Sequence, residues 1–225
     1  MTTSPSSLLV IGGGGFVGGA CVRHLRAQGT AVHVVEPQRR DRMPHGAHWL
    51  PGDIEDAASL RAAITVARPD AILNFAAFSA GPVGLARSGE ADPERALAVN
   101  LVGFRRLMEV AAEAGVPRLL WSSSTVAIGP VATVGARVAE DVPCAPATTY
   151  GLTKHLAEQA ALFMRRVHGL DVTGIRLPLI FGPGLWYAGA AAALTRLVAA
   201  GAPGATPQEA LPDTVFDAAH VDDAA

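Results

Sequence analysis

Leu8-Leu9-Val10-Ile11-Gly12-Gly13-Gly14-Gly15-Phe16-Val17-Gly18 is the stretch that decides the fold. A short apolar run ends directly at Gly12, and residues 16–28 then read as a helix that stops at Gly29. That is a strand, a tight turn and a helix. Glycines at 12, 15 and 18 give the spacing GxxGxxG. The first permits the sharp turn, the second lets the backbone approach a pyrophosphate, and the third lets the helix pack on the strand. The amides of Phe16, Val17 and Gly18, at the helix start, then face the phosphates. A glycine turn alone carries little weight, but the next strand, 31–35, runs into Glu36. An acid roughly twenty residues after the glycines is placed to bind a ribose 2′-hydroxyl. A carboxylate there repels a 2′-phosphate, so the cofactor expected is NAD, with NADP as the alternative. Arg39 and Arg40 are either a solvated loop pair or the means of reaching that phosphate.

Further along, a short strand at 47–50 ends at Gly52-Asp53, and a helix at 57–67 precedes a strand at 71–75 that opens into Ala76-Ala77. Residues 93–114 form a long helix with Pro93 in its first turn and Gly115 just past its end. A strand at 118–121 runs into Ser122-Ser123-Ser124, a helix from 149 to 168 stops at Gly169, and a sixth strand covers 171–176. Strands alternating with helices predict an α/β fold, a doubly wound parallel sheet with helices on both faces. A helix at 188–200 and a turn-rich stretch at 201–212 follow. The division expected is a dinucleotide-binding domain at 1–176 and a partial substrate-binding segment at 177–225.

With 225 residues, half of them hydrophobic, the chain can bury a full core. Its net charge is −2 and its basic residues are scattered, which points away from nucleic acid and anionic membranes. The longest mostly apolar stretch, 71–86, is interrupted by Asn74, Ser79, Gly81, Pro82 and Gly84 and is too short to span a bilayer. Residues 1–7 lack the basic start and apolar core of a secretory signal, so a cytoplasmic protein is expected. Cys21 and Cys144 read as ordinary reduced thiols. The histidines show no ligand spacing: His45 and His48 flank a turn, and His155 follows Lys154. No metal site is expected from that pattern.

Tyr150 and Lys154 lie four residues apart on one helix face, which lets the ammonium favour an ionised phenol. Bringing a tyrosine from a pKa near ~10 to about 7 takes roughly 4 kcal/mol, which a lysine together with a cationic nicotinamide ring can supply. The pair reads as a proton-transfer device.

Taken in order, these motifs resemble the extended short-chain dehydrogenase/reductase family, which includes the NAD-dependent epimerases and dehydratases. The matching residues are Gly12, Gly15 and Gly18, Glu36, Gly52-Asp53-Ile54, Asn74-Phe75-Ala76-Ala77, Asn100 with Gly103, Ser124, Tyr150-Gly151-Leu152-Thr153-Lys154, and Arg176 with Phe181-Gly182-Pro183-Gly184. The resemblance implies a general acid/base at Tyr150, a ribose contact at Lys154 and a hydrogen bond from Ser124 to the reacting oxygen. It also places Asp53, Ile54, Ala76, Ala77 and Asn100 about the cofactor, and pairs the helices 93–114 and 149–168 of two copies into a homodimer. Leu179 stands where nucleotide-sugar enzymes of the family commonly carry asparagine, which favours a smaller hydroxy or oxo substrate over a UDP- or dTDP-sugar. The function implied is an NAD(P)-dependent oxidoreductase or epimerase acting on a small polar substrate. A dinucleotide sensor without turnover is the alternative.

Overall fold

A computed structural model describes residues 6–130, 138–201, 211, 215 and 217–225. Six strands, β1 (Ser7–Ile11), β2 (Ala31–Glu36), β3 (His48–Pro51), β4 (Ala71–Asn74), β5 (Leu119–Ser124) and β6 (Val172–Leu177), form one sheet in the order β3-β2-β1-β4-β5-β6. Every neighbouring pair is parallel. Both faces are covered, so β1 is apolar without interruption from Leu8 to Ile11, and all four of those residues are buried. Alternate residues serve opposite faces. Leu9 and Ile11 join the cluster formed with α2 (Ala57–Ala67), α5 (Phe104–Glu113) and α6 (Thr149–His168), where Leu60, Leu107, Met108 and Met164 are buried. Val10 faces Val22 of α1 (Phe16–Ala27) together with Val32 and Val34. Burying each such side chain contributes about 1.5–3 kcal/mol.

The helix ends follow local chemistry. Asp56 caps α2 by accepting from the Ala58 amide, and Thr148 caps α6 by accepting from the Gly151 amide at 3.0 Å. Gly169, in the left-handed region, ends α6. The expected helix at 93–114 is present but not uniform. It begins as α4 (Pro93–Leu97), widens into a six-residue π segment at Ala98–Gly103, and continues as α5. Such widenings recur at functional sites, and this one contains Asn100.

Two features have no counterpart in the sequence pattern. Helix α3 (Leu85–Ala91) buries Ser88 and Gly89, so it shows no apolar stripe. Its start is held by the Ser88 hydroxyl, which donates to the Gly84 carbonyl at 2.7 Å. Strands β7 (Leu179–Phe181) and β8 (Ala218–His220) form a separate parallel pair, each too short to show alternation. Helix α7 (Ala190–Ala199) falls inside the expected 188–200, while most of 201–212 lies outside the described residues. Among the described residues no helix is long and apolar enough to cross a membrane.

Candidate functional site

The strand order reverses direction between β1 and β4, and in open α/β sheets ligands lie outside the carboxyl ends of the strands at such a point. Gly12 stands there with φ +79°, and a Cβ on it would come within 2.7 Å of the Ala76 backbone at the end of β4. A Cβ on Gly18 would come within 2.4 Å of the Gly12 carbonyl oxygen, so helix and turn can close only over a bare glycine. Gly15 caps α1 without a side-chain hydrogen bond. The first-turn amides of Phe16, Val17 and Gly18 have no intrahelical partner and are available to an anion.

Glu36, at the carboxyl end of β2, is only 5% exposed and accepts from the Gly14 amide at 2.8 Å. Acid and glycine turn therefore form one unit. Arg40 approaches the same carboxylate at 3.5 Å. Arg42, which the spacing of motifs does not single out, donates from Nε to the Gly14 carbonyl at 3.1 Å and lays its guanidinium 3.5 Å from the centre of the Trp186 ring. Trp186 and Tyr187 both meet Phe16 edge to face.

The remaining expected cofactor contacts divide into two groups. Ile54 is buried against Gly103 of the π segment, and the Ala76 amide donates to the Asn74 side chain, so Ala76 and Ala77 stand at the rim beside Gly12. Asp53 and Asn100 are engaged within the protein. The Asp53 carboxylate accepts from the Glu55 amide at 2.9 Å, shaping the turn into α2. Asn100 is 4% exposed; its oxygen accepts from the Phe78 amide at 2.8 Å and its nitrogen donates to the Thr153 hydroxyl at 3.0 Å. Asn100 thereby fixes the loop after β4 to α6.

Ser124, Tyr150 and Lys154 come together where β5 ends against α6. Burial pushes the Tyr150 phenol above its ordinary pKa and the nearby Tyr187 phenol adds to that, while Ser124, whose hydroxyl also lies 3.4 Å from the Leu177 carbonyl, works in the opposite direction and is outweighed. The net direction is upward, contrary to the lowering expected from Lys154. The reason is geometric: the Lys154 ammonium lies 5.6 Å from the Tyr150 ring centre and donates to the Ser122 carbonyl at 2.7 Å, so its charge is directed at the strand end. Lys154 is 3% exposed, and burial brings its pKa down to about 8 against the opposing charge of Glu158. The protein alone therefore holds Tyr150 protonated, as an acid. Acting as a base requires added positive charge beside it.

Ser123, one residue earlier, donates to Glu158 at 2.6 Å. Arg176 on β6 grips the same carboxylate with Nε at 2.9 Å and a terminal nitrogen at 2.8 Å. Burial pushes the Glu158 carboxyl up, but the hydrogen bonds from Arg176 and Ser123 and the Arg176 charge together carry it below its ordinary value. This network braces β5, α6 and β6 directly beneath the Ser124 end. Sequence spacing gave no sign of it, because its members lie on three separate elements.

The profile described as "NAD dependent epimerase/dehydratase family" matches residues 8–225. Among curated proteins, UDP-glucuronate 4-epimerase 6 of Arabidopsis thaliana is 32% identical over 190 residues, covering 79% of this chain and 40% of its own length. UDP-glucose 4-epimerase of Lactobacillus helveticus is 29% identical over 172 residues, covering 75% of this chain and 50% of its own length. Among solved structures, the UDP-glucose 4-epimerase of Thermus thermophilus in complex with NAD superposes with a TM-score of 0.81 at 25% identity, over 96% of this chain and 71% of that one. A short-chain dehydrogenase/reductase superfamily protein from Agrobacterium tumefaciens with bound NAD gives 0.65 at 33% identity, over 77% and 49%. The chain thus spans half or less of the length of these curated relatives.

Proposed function

Because the chain belongs to the NAD dependent epimerase/dehydratase family, we propose that it is an NAD-linked oxidoreductase or epimerase that moves a hydride at a hydroxyl- or carbonyl-bearing carbon, with Tyr150 as the acid/base. One observation carries the reading: Ser124, Tyr150 and Lys154 converge at the end of β5, on the same edge of the sheet as the glycine turn and Glu36.

The residues fit the cofactor. The bare start of α1 suits a pyrophosphate, Glu36 suits a ribose diol, and Lys154 and Tyr150, at the end of β5, would meet the nicotinamide end. When bound, the nicotinamide of NAD takes up and returns the hydride and brings positive charge in its oxidised form. Ser124 holds the reacting oxygen by hydrogen bonding, and Tyr150 gives up or receives the proton at that oxygen. Lys154 would contact the nicotinamide ribose, with its ammonium 5.6 Å from the Tyr150 ring centre. Glu36 favours NAD, while Arg40 partly neutralises it and keeps some NADP binding available.

The substrate class is a sugar or sugar-like hydroxy or oxo compound. The relatives' names point to nucleotide sugars; Leu179 points to a smaller molecule by removing a polar contact. The reaction needs no membrane or nucleic acid, and the cytoplasm suits it. We place the homodimer contact on the apolar residues that α6 and the π segment before α5 leave exposed, Leu162 at 59%, Phe163 at 48%, Val167 at 54% and Val102 at 41%.

The test is a titration of the purified protein with NADH, followed by incubation of the NAD-loaded protein with a panel of UDP-sugars, sugar acids and lactones. Bound NAD becoming reduced with one of them supports the proposal. Tight NADH binding with no reduction and no interconversion across the panel would favour a sensor.

A further inference from the structure

Cys144, in the loop leading into α6, meets His155 and Glu158 on that helix. One ligand atom from each of the three lies within 4.8 Å of those of the other two. His155 and Glu158 are three residues apart and so share a helix face, while the thiol approaches from outside the helix. We propose that these three side chains form a binding site for a divalent zinc-class cation, with a water in the fourth position.

Each residue has coordination capacity to spare. The His155 Nδ1 is buried and has no hydrogen-bond partner among the described residues, an unsatisfied position that ordinarily costs stability. Among the described residues the Cys144 sulfur makes only long contacts, donating to the Val142 carbonyl at 3.9 Å and accepting from the Arg176 guanidinium at 3.6 Å. Glu158 Oε1 receives Ser123 and Arg176 Nε, whereas Oε2 receives a single donor, leaving a lone pair open. One thiol, one imidazole and one carboxylate match the mixed sulfur, nitrogen and oxygen donors that zinc accepts, and three protein ligands leave the open position typical of non-structural sites.

Arg176 is a cation beside the same atoms: its terminal nitrogen lies 2.8 Å from Glu158 Oε2 and 3.6 Å from Cys144 Sγ, so it bridges two of the three ligands. A bound ion takes over the contact with the thiol, while the Nε bond to Glu158 and the bond to the Glu140 carbonyl at 3.2 Å keep the guanidinium beside the carboxylate, as hydrogen-bond donors to ligating carboxylates commonly stand. Its charge weakens the affinity. Metal–ligand bonds of ~2.0–2.3 Å place tetrahedral donors roughly 3.3–3.7 Å apart, so the side chains need to draw in by about 1 Å. All three are half-buried, which gives an ion a path of entry. Binding releases the Cys144 proton to solvent and ties the loop before α6 to the helix that carries Tyr150 and Lys154.

The experiment is a titration of the untagged, metal-stripped protein with Co2+ as a spectroscopic stand-in for Zn2+. The expected result is one equivalent bound, with a near-ultraviolet sulfur-to-cobalt charge-transfer band that Zn2+ abolishes by competition. Cys144→Ser and His155→Gln should each remove the band. Cys21, the other thiol, is buried with its pKa raised to about 11 and is no source of it. In parallel, Zn2+ should slow alkylation of Cys144 in the wild-type protein at least tenfold by mass spectrometry, a measurement that needs no variant. Absence of the band in the wild type, its survival in either variant, or an alkylation rate unchanged by Zn2+ would overturn the site.

Discussion

Replacing Lys154 by methionine tests the electrostatics of the site without any need for a substrate. In the folded protein its pKa is about 8, against an ordinary value of 10.5 that the unfolded chain regains. Between those values the unfolded chain binds a proton that the folded one does not, so stability rises with pH across that window. Below it the folded protein carries a charged, buried ammonium at its largest cost. The 2.5-unit difference corresponds to about 3.4 kcal/mol in full, of which roughly 2.5 kcal/mol is recovered between pH 7 and pH 10. Methionine fills the space of the lysine stem but removes the bond to the Ser122 carbonyl, a loss of about 1–3 kcal/mol that does not depend on pH. Urea unfolding of both proteins at pH 7 and pH 10 separates the two effects. The stability of the wild type relative to Lys154→Met should improve by about 2–3 kcal/mol from the lower pH to the higher. Parallel pH profiles for the two proteins would refute a buried, charge-destabilised Lys154.

Glu36→Ala should lower NAD affinity by about tenfold or more, since it removes the ribose acceptor and the bond from the Gly14 amide, and should narrow the preference over NADP in parallel titrations. Gly18→Ala drives a Cβ to 2.4 Å from the Gly12 carbonyl oxygen; by overpacking it should cost about 1–3 kcal/mol in denaturant unfolding and weaken NADH binding more than Gly29→Ala. Light scattering at micromolar concentration should give a dimer, and Phe163→Asp, on the exposed face of α6, should give a monomer that still binds NADH.

The sheet was legible because buried parallel strands must be apolar throughout and must be punctuated by glycines, as at Leu8 to Gly12. The turn chemistry was legible for the same reason: only glycine tolerates the approach of Gly12 to Ala76. Tyr150, Lys154 and Ser124 were recognisable from motif order, and they do come together. Their energetics were not recognisable. The expected lowering of the Tyr150 pKa counted on Lys154 together with a cationic nicotinamide ring; in the protein alone the Lys154 ammonium is directed at Ser122 and burial raises the phenol. Helix α3 escaped because it buries Ser88 and Gly89 rather than a stripe of large residues. The groupings of Ser123, Glu158 and Arg176, and of Arg42, Gly14 and Trp186, depend on contacts between elements that no local period encodes.

The central claim is that Tyr150 transfers the proton. The measurement that tests it most directly is turnover of Tyr150→Phe on the substrate found in the panel, with NADH affinity determined on the same preparation. Phenylalanine keeps the aromatic ring and the Tyr150 Cβ beside Gly89 but has no transferable proton. Turnover should fall by ~10²–10⁴-fold while the NADH dissociation constant changes by no more than about twofold. A Tyr150→Phe protein that turns over at the wild-type rate would contradict the assignment, because the proton would then have to move by another group.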